Sequence, residues 1–220
     1  RYHEKMDADC TIAVRQVPIE EASRFGIMNT DENDNIIEFE EKPKQPKSNK
    51  ASMGVYIFTF SQLKKYLTED HDNPASKNDF GKNIIPTMLS EGRRLFAYAF
   101  EDYWKDVGTI ASLWDAHMDL LKEKPEVDLS DKRWPVYAKN PIMPPHFVGE
   151  TGEVANSMIT AGCEIYGKIE NSVLSHSVTV APGAYVNYSV LMPGAVVEDG
   201  ATVEYALIGE NTVIGAATEG

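Results

Sequence analysis

Hydrophobic and polar positions follow two different rhythms along this chain. In the first half, short apolar runs alternate with stretches of helical spacing. Cys10 to Val17 (CTIAVRQV) predicts a mostly buried strand. Phe25–Thr30 and Ile36–Glu41 flank the polar turn Asp31–Asn35, which predicts a hairpin. Gly54 to Phe60 (GVYIFTF) predicts another strand, with Ser61 as the cap of a short helix carrying Leu63, Tyr66 and Leu67. A polar turn, Asp79-Phe-Gly-Lys82, precedes a predicted helix at Asn83–Leu89, and Leu95 to Phe100 (LFAYAF) is strand-like. Thr109 opens the clearest helix. Ile110, Leu113, Trp114, His117, Leu120 and Leu121 fall at helical spacing, with Lys122 and Lys124 at the end and Pro125 as the stop. His117 on that apolar stripe is expected to be a core or interface histidine, not a ligand. Strands mixed with helices predict an α/β sheet layer.

The second half repeats itself. Asn156-Ser-Met-Ile, Asn171-Ser-Val-Leu and Tyr188-Ser-Val-Leu recur at spacings of 15 and 17, and Gly183 and Gly200 are also 17 apart. A fixed period of this size, with aliphatics about every six residues, fits a triangular coil whose sides are short strands. One aliphatic per side points into a narrow core, and Gly, Asn and Asp serve the corners. Ile159, Ile165, Val173, Val190, Val196 and Val203 are the expected core positions. The pattern resembles the left-handed parallel β-helix of hexapeptide-repeat proteins. An antiparallel sandwich of short strands is the alternative, but it has no need of a fixed period.

Charge sharpens the division. The 220 residues carry 21 Lys+Arg against 34 Asp+Glu, a formal net charge of −13. Residues 147–220 hold a single basic residue, Lys168, against nine carboxylates, Glu219 among them. The acidic balance argues against nucleic-acid and anionic-membrane partners. No apolar run approaches the ~18 residues of a membrane span, and Arg1 to Asp9 lacks the apolar stretch of a secretory leader. Cys10 and Cys163 stand at no metal-ligand spacing and are expected to be buried thiols of a cytoplasmic protein. Pro135, Pro141, Pro144 and Pro145 mark a linker between the halves. The expected organisation is an α/β part over 1–130, a linker over 131–150 and a β-helix over 151–220.

Three clusters in the first half carry candidate chemistry. Glu38-Phe-Glu-Glu-Lys42-Pro43 ends a strand, and a Lys among carboxylates is most simply a solvated salt-bridging face. Pro43, however, stops the ladder, so Lys42 stands where the strand leaves its sheet, a place where α/β sheets gather ligands. A lysine there suits a phosphate as a point charge. Tyr103-Trp-Lys-Asp106-Val-Gly-Thr109 places Asp106 before a helix start. That carboxylate can favour the helix dipole or hold Mg²⁺, which takes few protein carboxylates. The third cluster is the polar turn at Asp79–Lys82.

Together EEASRFGIM (20–28), EFEEKP (38–43), ASMGVYIF (51–58), NDFGKNIIP (78–86), YWKDVGT (103–109), KRWPVY (132–137) and the hexapeptide tail resemble the bacterial glucose-1-phosphate adenylyltransferase family, the ADP-glucose pyrophosphorylases. The order and spacing of these segments, more than any one of them, carry the resemblance. It implies an α/β fold: a partial Rossmann-like nucleotidyltransferase domain followed by a left-handed parallel β-helix. It implies that Gly26, Glu41, Lys42 and Ser52 lie at the sugar phosphate, with Tyr56, Asp79, Phe80 and Trp104 as further sugar-site positions and Asp106 as a metal-binding Asp. Lys42 would hold the phosphate and Glu41 and Ser52 the sugar hydroxyls. Lys42 and Asp106 are the implied catalytic residues. The implied cofactor is Mg²⁺, and the implied partners are glucose 1-phosphate, ATP and ADP-glucose. A cytoplasmic homotetramer of glycogen synthesis with an allosteric site between its domains is also implied.

The family's Gly-rich nucleotide loop and Gly-Asp-His motif are not in this sequence, so the chain is expected to correspond to the C-terminal part of such an enzyme and to be inactive alone. A pyrophosphorylase for another base or sugar and a non-catalytic regulatory paralogue are rival expectations. The presence of both Lys42 and Asp106 favours the catalytic type. A hexapeptide-repeat acyltransferase would need an exposed His base, for which only His176 stands in the repeats, and it would leave the first half unexplained.

Overall fold

The structure is a computed structural model that describes residues 1–138 and 141–217. Glu219, the last residues of the expected β-helix and residues 139–140 of the expected linker lie outside the described residues. The chain forms two compact units, Arg1–Trp104 and Lys105–Gly220.

The first unit is built on a mixed five-stranded sheet. Its strands are β1 (Cys10–Gln16), β2 (Gly26–Thr30), β3 (Ile36–Glu41), β4 (Lys50–Phe58) and β5 (Leu95–Ala99), in the order β3-β2-β4-β1-β5. β1 runs antiparallel to β4 and parallel to β5, and β2 and β3 form the expected hairpin. Period-two alternation decides which face is buried. Cys10, Ile12 and Val14 of β1 and Leu95 and Ala97 of β5 join Tyr66, Ile84, Ile85 and Met88 in one core. A short helix, α1 (Tyr2–Lys5), precedes the sheet, and α2 (Phe60–His71) and α3 (Ile85–Ser90) supply the helical side. Tyr66 of α2 is buried, with its hydroxyl donating to Glu91 at 2.5 Å and accepting from Arg93 at 2.8 Å.

Two details differ from the sequence reading. Helix α2 starts at Phe60 with Thr59 as its N-cap, so Ser61 lies inside the helix and Phe60 is an exposed helical residue instead of a strand residue. The polar turn before α3 is a single π turn, Phe80–Ile84, capped by the Asp79 carboxylate, which accepts from the Lys82 N–H at 2.9 Å.

The second unit opens with α4 (Ile110–Asp119). Thr109 and Ser112 form a reciprocal capping box at its start. Ile110, expected on the buried stripe, is 76% exposed. Position N1 lies before the stripe is established. His117 is half-buried, its Nδ1 2.8 Å from the Leu113 carbonyl oxygen. Lys105 bridges Asp115 at 3.0 Å and Asp119 at 2.6 Å, tying the preceding turn to the helix. Between Asp119 and Phe147 no helix or strand occurs among the described residues, and Trp134, Val136, Tyr137 and Ile142 are largely exposed.

From β6 (Phe147–Val148) to β18 (Val213–Ile214) the chain is a parallel β-solenoid of about four turns. Its three sheets have the orders β16-β13-β10-β7, β17-β14-β11-β8 and β18-β15-β12-β9-β6. Every pairing is parallel, which excludes the antiparallel sandwich. The core holds Ile165, Ile169, Leu174, Val180, Val186, Leu191, Val197 and Val203. From Leu174 onward these are spaced six, six and five residues, which is the origin of the 17-residue period. The first complete coil closes in 15 residues because Ile169 follows Ile165 by only four.

Of the expected core positions, Ile165 and Val203 are inside and Ile159 packs against the core while partly buried. Val190 is buried but outside the core cluster, and Val173 and Val196 are half-buried, their places taken by Leu174 and Val197. Two aliphatics stand side by side on these strands, so hydrophobicity could not choose between them. At Val173–Leu174 a serine ladder does. Ser157, Ser172 and Ser189 each accept the backbone N–H one coil on, from Ser172 at 3.1 Å, Ser189 at 3.0 Å and Ala206 at 3.2 Å. With serine turned inward, the next residue faces out and the one after faces in.

The corners take left-handed backbone. Gly162, Ser177, Gly194 and Asn211 stack at one corner with φ of 78°, 62°, 71° and 54°. At another, Asn156 and Asn171 are followed by Tyr188 and Tyr205 at φ 43° and 48°. Left-handed tyrosine is costly. Here the two rings stack 5.1 Å apart at 9°, and Trp114 donates its indole N–H to the Tyr188 carbonyl at 2.7 Å. Cys10 and Cys163 are both buried free thiols, and burial pushes Cys10 up to about 12.

Candidate functional site

The site assembles in the first unit from four chain segments. The β2–β3 hairpin supplies Gly26 and, directly opposite in register, Glu41. Lys42 follows at φ 50°, its N–H donating to the Phe25 carbonyl at 3.1 Å. A lysine in the left-handed region is strained backbone of the kind that collects at functional positions. No ion pair to Lys42 occurs among the described residues. The salt-bridging face expected around it forms instead between Lys47 and Glu38 at 2.8 Å.

β4 supplies Ser52 and Tyr56. Ile12 pairs with Tyr56 and Val14 with Ser52, so β4 carries two more residues than β1 across that interval. Gly54 occupies the bulge at φ 70°. The bulge brings alternate residues together: the Gly54 N–H donates to Ser52 Oγ at 3.2 Å, and Tyr56 hydrogen-bonds the Ser52 side chain. Burial pushes the Tyr56 hydroxyl above its ordinary range, and the charges of Glu41 and Asp79 add to that, with the Ser52 bond opposing.

The π turn supplies Asp79 and Phe80. Asn78 before it is held at φ 51°. The backbone N–H of Lys82 holds the Asp79 carboxyl below its ordinary value, and the Lys82 ammonium, 3.7 Å away, contributes less. Phe80 stacks on Tyr56 with ring centroids 5.4 Å apart. Trp104, the fourth segment, packs against Phe25 at 5.9 Å.

Glu41, Ser52, Tyr56 and Asp79 thus form one polar cluster walled by Phe80, with Gly26 and Lys42 at the hairpin end beside it. Carboxylates are acceptors only, and the serine and tyrosine hydroxyls both donate and accept, so the set suits a neutral ligand rich in hydroxyls. Lys42 adds a cation on a flexible stem, suited to a phosphate. The family resemblance in the sequence named these seven residues and Trp104. It missed Gly54, Gly81 and Phe39, which shape the cluster without offering polar chemistry.

Asp106 belongs to the second unit. It lies three residues before the N-cap of α4, where a Cβ on Gly108 would come within 3.3 Å of both its carboxylate oxygens. Among the described residues no group of three or more His, Cys, Asp or Glu is arranged to hold a metal ion. Asp106 is a hard oxygen donor of the type Mg²⁺ accepts, but only one. His176, the candidate base of the acyltransferase alternative, is half-buried beside Ser177, Nδ1 to Oγ 3.4 Å. No helix among the described residues is long and apolar enough to cross a membrane.

Two family models match separate segments of the chain. Residues 1–123 match the family model described as Nucleotidyl transferase, and residues 143–219 match one described as GlmU-like, C-terminal hexapeptide. A glucose-1-phosphate adenylyltransferase of Clostridium perfringens is 55% identical over 196 residues, 89% of this chain and 50% of that protein. Proteins of the same name from Bacillus cereus and Bacillus anthracis are 51% identical over 213 residues, 97% of this chain and 57% of theirs. The chain therefore spans about half the length of these relatives. Over more than half of its own length it matches one family model, and it belongs to the nucleotidyl transferase family.

Proposed function

We propose that this chain carries the sugar-phosphate side of a glucose-1-phosphate adenylyltransferase. The observation that carries the reading is the cluster of Glu41, Ser52, Tyr56 and Asp79 beside a left-handed Lys42 that has no ion pair among the described residues, and the names of the relatives support it. In the reaction an oxygen of glucose 1-phosphate attacks the α-phosphorus of ATP. A new oxygen–phosphorus bond forms, the bond to the β-phosphate oxygen breaks, and pyrophosphate leaves with ADP-glucose as the other product. No covalent enzyme intermediate is required, so the protein acts by positioning and charge neutralisation.

Lys42 holds the phosphate of the sugar. Glu41 and Ser52 accept from and donate to its hydroxyls, with Tyr56 and Asp79 completing the polar wall and Phe80 and Trp104 the apolar one. Asp106 would supply one oxygen ligand to Mg²⁺, which when bound neutralises charge on the phosphates. The same reading assigns the protein to glycogen synthesis in the cytoplasm, as a homotetramer.

Titration calorimetry of the chain with glucose 1-phosphate tests this without needing turnover. Lys42→Ala removes a charge-assisted contact worth about 1.5–3 kcal/mol, so affinity is expected to fall about tenfold to a hundredfold. Unchanged affinity in Lys42→Ala would make Lys42 a surface lysine and sink the reading.

A further inference from the structure

Two glycines in the site are glycine for lack of space, not for backbone freedom. Neither Gly26 nor Gly81 has a positive φ, so any L-residue fits their backbone. What an added Cβ would meet is the same pair of side chains in both cases. At Gly26 it would lie 2.7 Å from Phe39 Cζ and 3.1 Å from Glu41 Oε2. At Gly81 it would lie 2.9 Å from Glu41 Oε2 and 3.1 Å from Phe39 Cζ. The Glu41 carboxylate thus sits in a slot bounded by bare backbone of β2 and of the π turn, with the Phe39 ring in contact with both.

We propose that Gly81 is a positioning residue that fixes the Glu41 carboxylate by leaving this slot open, and so sets the preference for a sugar phosphate over phosphate alone. The inference rests on the proposed function and deepens it. The π turn itself is held in place. Asp79 caps it through the Lys82 N–H at 2.9 Å, Phe80 stacks on Tyr56, and Ile84 is buried in the core. Gly81 is itself buried. A methyl group there has little freedom to be absorbed by backbone movement. Phe39 packs against the core and yields less than the end of a glutamate. The displaced group is therefore Glu41, whose hydroxyl-accepting geometry is lost while Lys42, the phosphate ligand, is untouched. π turns inserted in helical segments recur at functional sites, which fits such a role.

The experiment is calorimetry of the full chain with two probes, glucose 1-phosphate and inorganic phosphate. Glu41→Ala, which adds no atom to the slot, is expected to weaken glucose 1-phosphate about tenfold and to leave inorganic phosphate unchanged. Gly81→Ala is expected to weaken glucose 1-phosphate about threefold to tenfold, again sparing inorganic phosphate. In the Glu41→Ala background, Gly81→Ala should add nothing, because the group it displaces is gone.

Gly81→Ala binding like the parent, weakening both probes equally, or adding its full effect to Glu41→Ala would overturn the inference. If Gly81→Ala does not fold, Glu41→Ala still decides, since preference retained there removes the residue through which Gly81 is said to act. A parent chain with no preference for glucose 1-phosphate over inorganic phosphate overturns the functional reading as well. A parent that prefers the sugar phosphate, with silent variants, overturns this inference alone.

Discussion

The two units use left-handed backbone in opposite ways. In the solenoid it is periodic: Asn156, Asn171, Tyr188 and Tyr205 repeat one corner, and Gly162, Ser177, Gly194 and Asn211 another. Each strained residue has a neighbour above or below that shares its conformation, as the Tyr188–Tyr205 stack illustrates. In the first unit the left-handed residues are single: Asp7, Asp34 and Gly92 lie in turns away from the site, whereas Lys42 and Asn78 adjoin Glu41 and Asp79 and Gly54 stands midway between Ser52 and Tyr56. Repetition makes strain part of the architecture, whereas the single strained residues beside the site bend the chain where particular side chains are aimed. The same contrast holds for buried polar groups. The solenoid buries Ser172 and Ser189 in a self-satisfying ladder. The site's carboxylates Glu41 and Asp79 instead stay accessible to a ligand.

If the solenoid is a one-dimensional stack, its stability depends on neighbouring coils, and a central defect is the most damaging. Leu191 is fully buried in the core and pairs with Leu174 and Ile208 in the flanking coils. Leu191→Ala should cost about 2–5 kcal/mol, and Ile159→Ala in the first coil, where burial is partial, distinctly less. Hydrogen exchange of the coil amides measures both. Equal losses would mean that the coils do not act as a stack of neighbours.

The next effect concerns the serine ladder. Ser172→Ala leaves the Ser189 N–H without its acceptor in a buried place, at a cost of about 1–3 kcal/mol. Ser157→Ala does the same to the Ser172 N–H, but Ser157 is only half-buried, so water can compensate in part. Urea unfolding of the two variants ranks them. The reverse order would show that the hydroxyls do not hold the coils in register.

Helix α4 offers a smaller test. The capping box at Thr109 and Ser112 starts the helix just after the Asp106 turn. Thr109→Ala should cost about 1 kcal/mol by loss of the cap, and Thr109→Ser almost nothing. Thermal unfolding separates the two, and equal losses would shift the credit from the hydroxyl to the methyl group.

The repeat made the solenoid legible in the sequence, since each coil restates the corner and core chemistry of the one before. What failed there was finer. Val173 against Leu174 and Val196 against Val197 are choices between two adjacent aliphatics that hydrophobicity does not make, and the serine ladder decides the first of them. In the first unit the strands could be read from apolar runs, and Lys42 and the Asp79 turn from their own chemistry, while Glu41, Ser52 and Tyr56 were legible as site positions only through the family resemblance. Gly54, Gly81 and Phe39 were not. A bulge is defined by the partner strand, and a space-limited glycine by side chains distant in sequence. Phe60 and Ser61 were misplaced because an aromatic after Phe58-Thr59 continues the apolar alternation, and Thr59, the N-cap position, makes no side-chain cap that would mark the helix start.

The smallest expected effect comes from Asp79, whose carboxylate stabilises the π turn. Its pKa is held below the ordinary value by the Lys82 backbone N–H first, then by the Lys82 ammonium and the Gly81 N–H. A carboxyl whose folded pKa is depressed contributes stability above its unfolded pKa, and loses it as pH falls through the folded value. The contribution is therefore constant at neutral pH and declines below about pH 4. Asp79 is more than one-third exposed, so solvent screening keeps it below about 1 kcal/mol. Asp79→Asn retains an acceptor for the Lys82 N–H and removes only the charge. The stability difference between parent and variant, from urea titrations at several pH values, should be level above about pH 5 and shrink as the pH falls below about 4. A difference that persists undiminished in acid would assign the cap to the shape of the side chain. This turn would then resemble the corners of the solenoid, held by neutral hydrogen bonds and conformation alone.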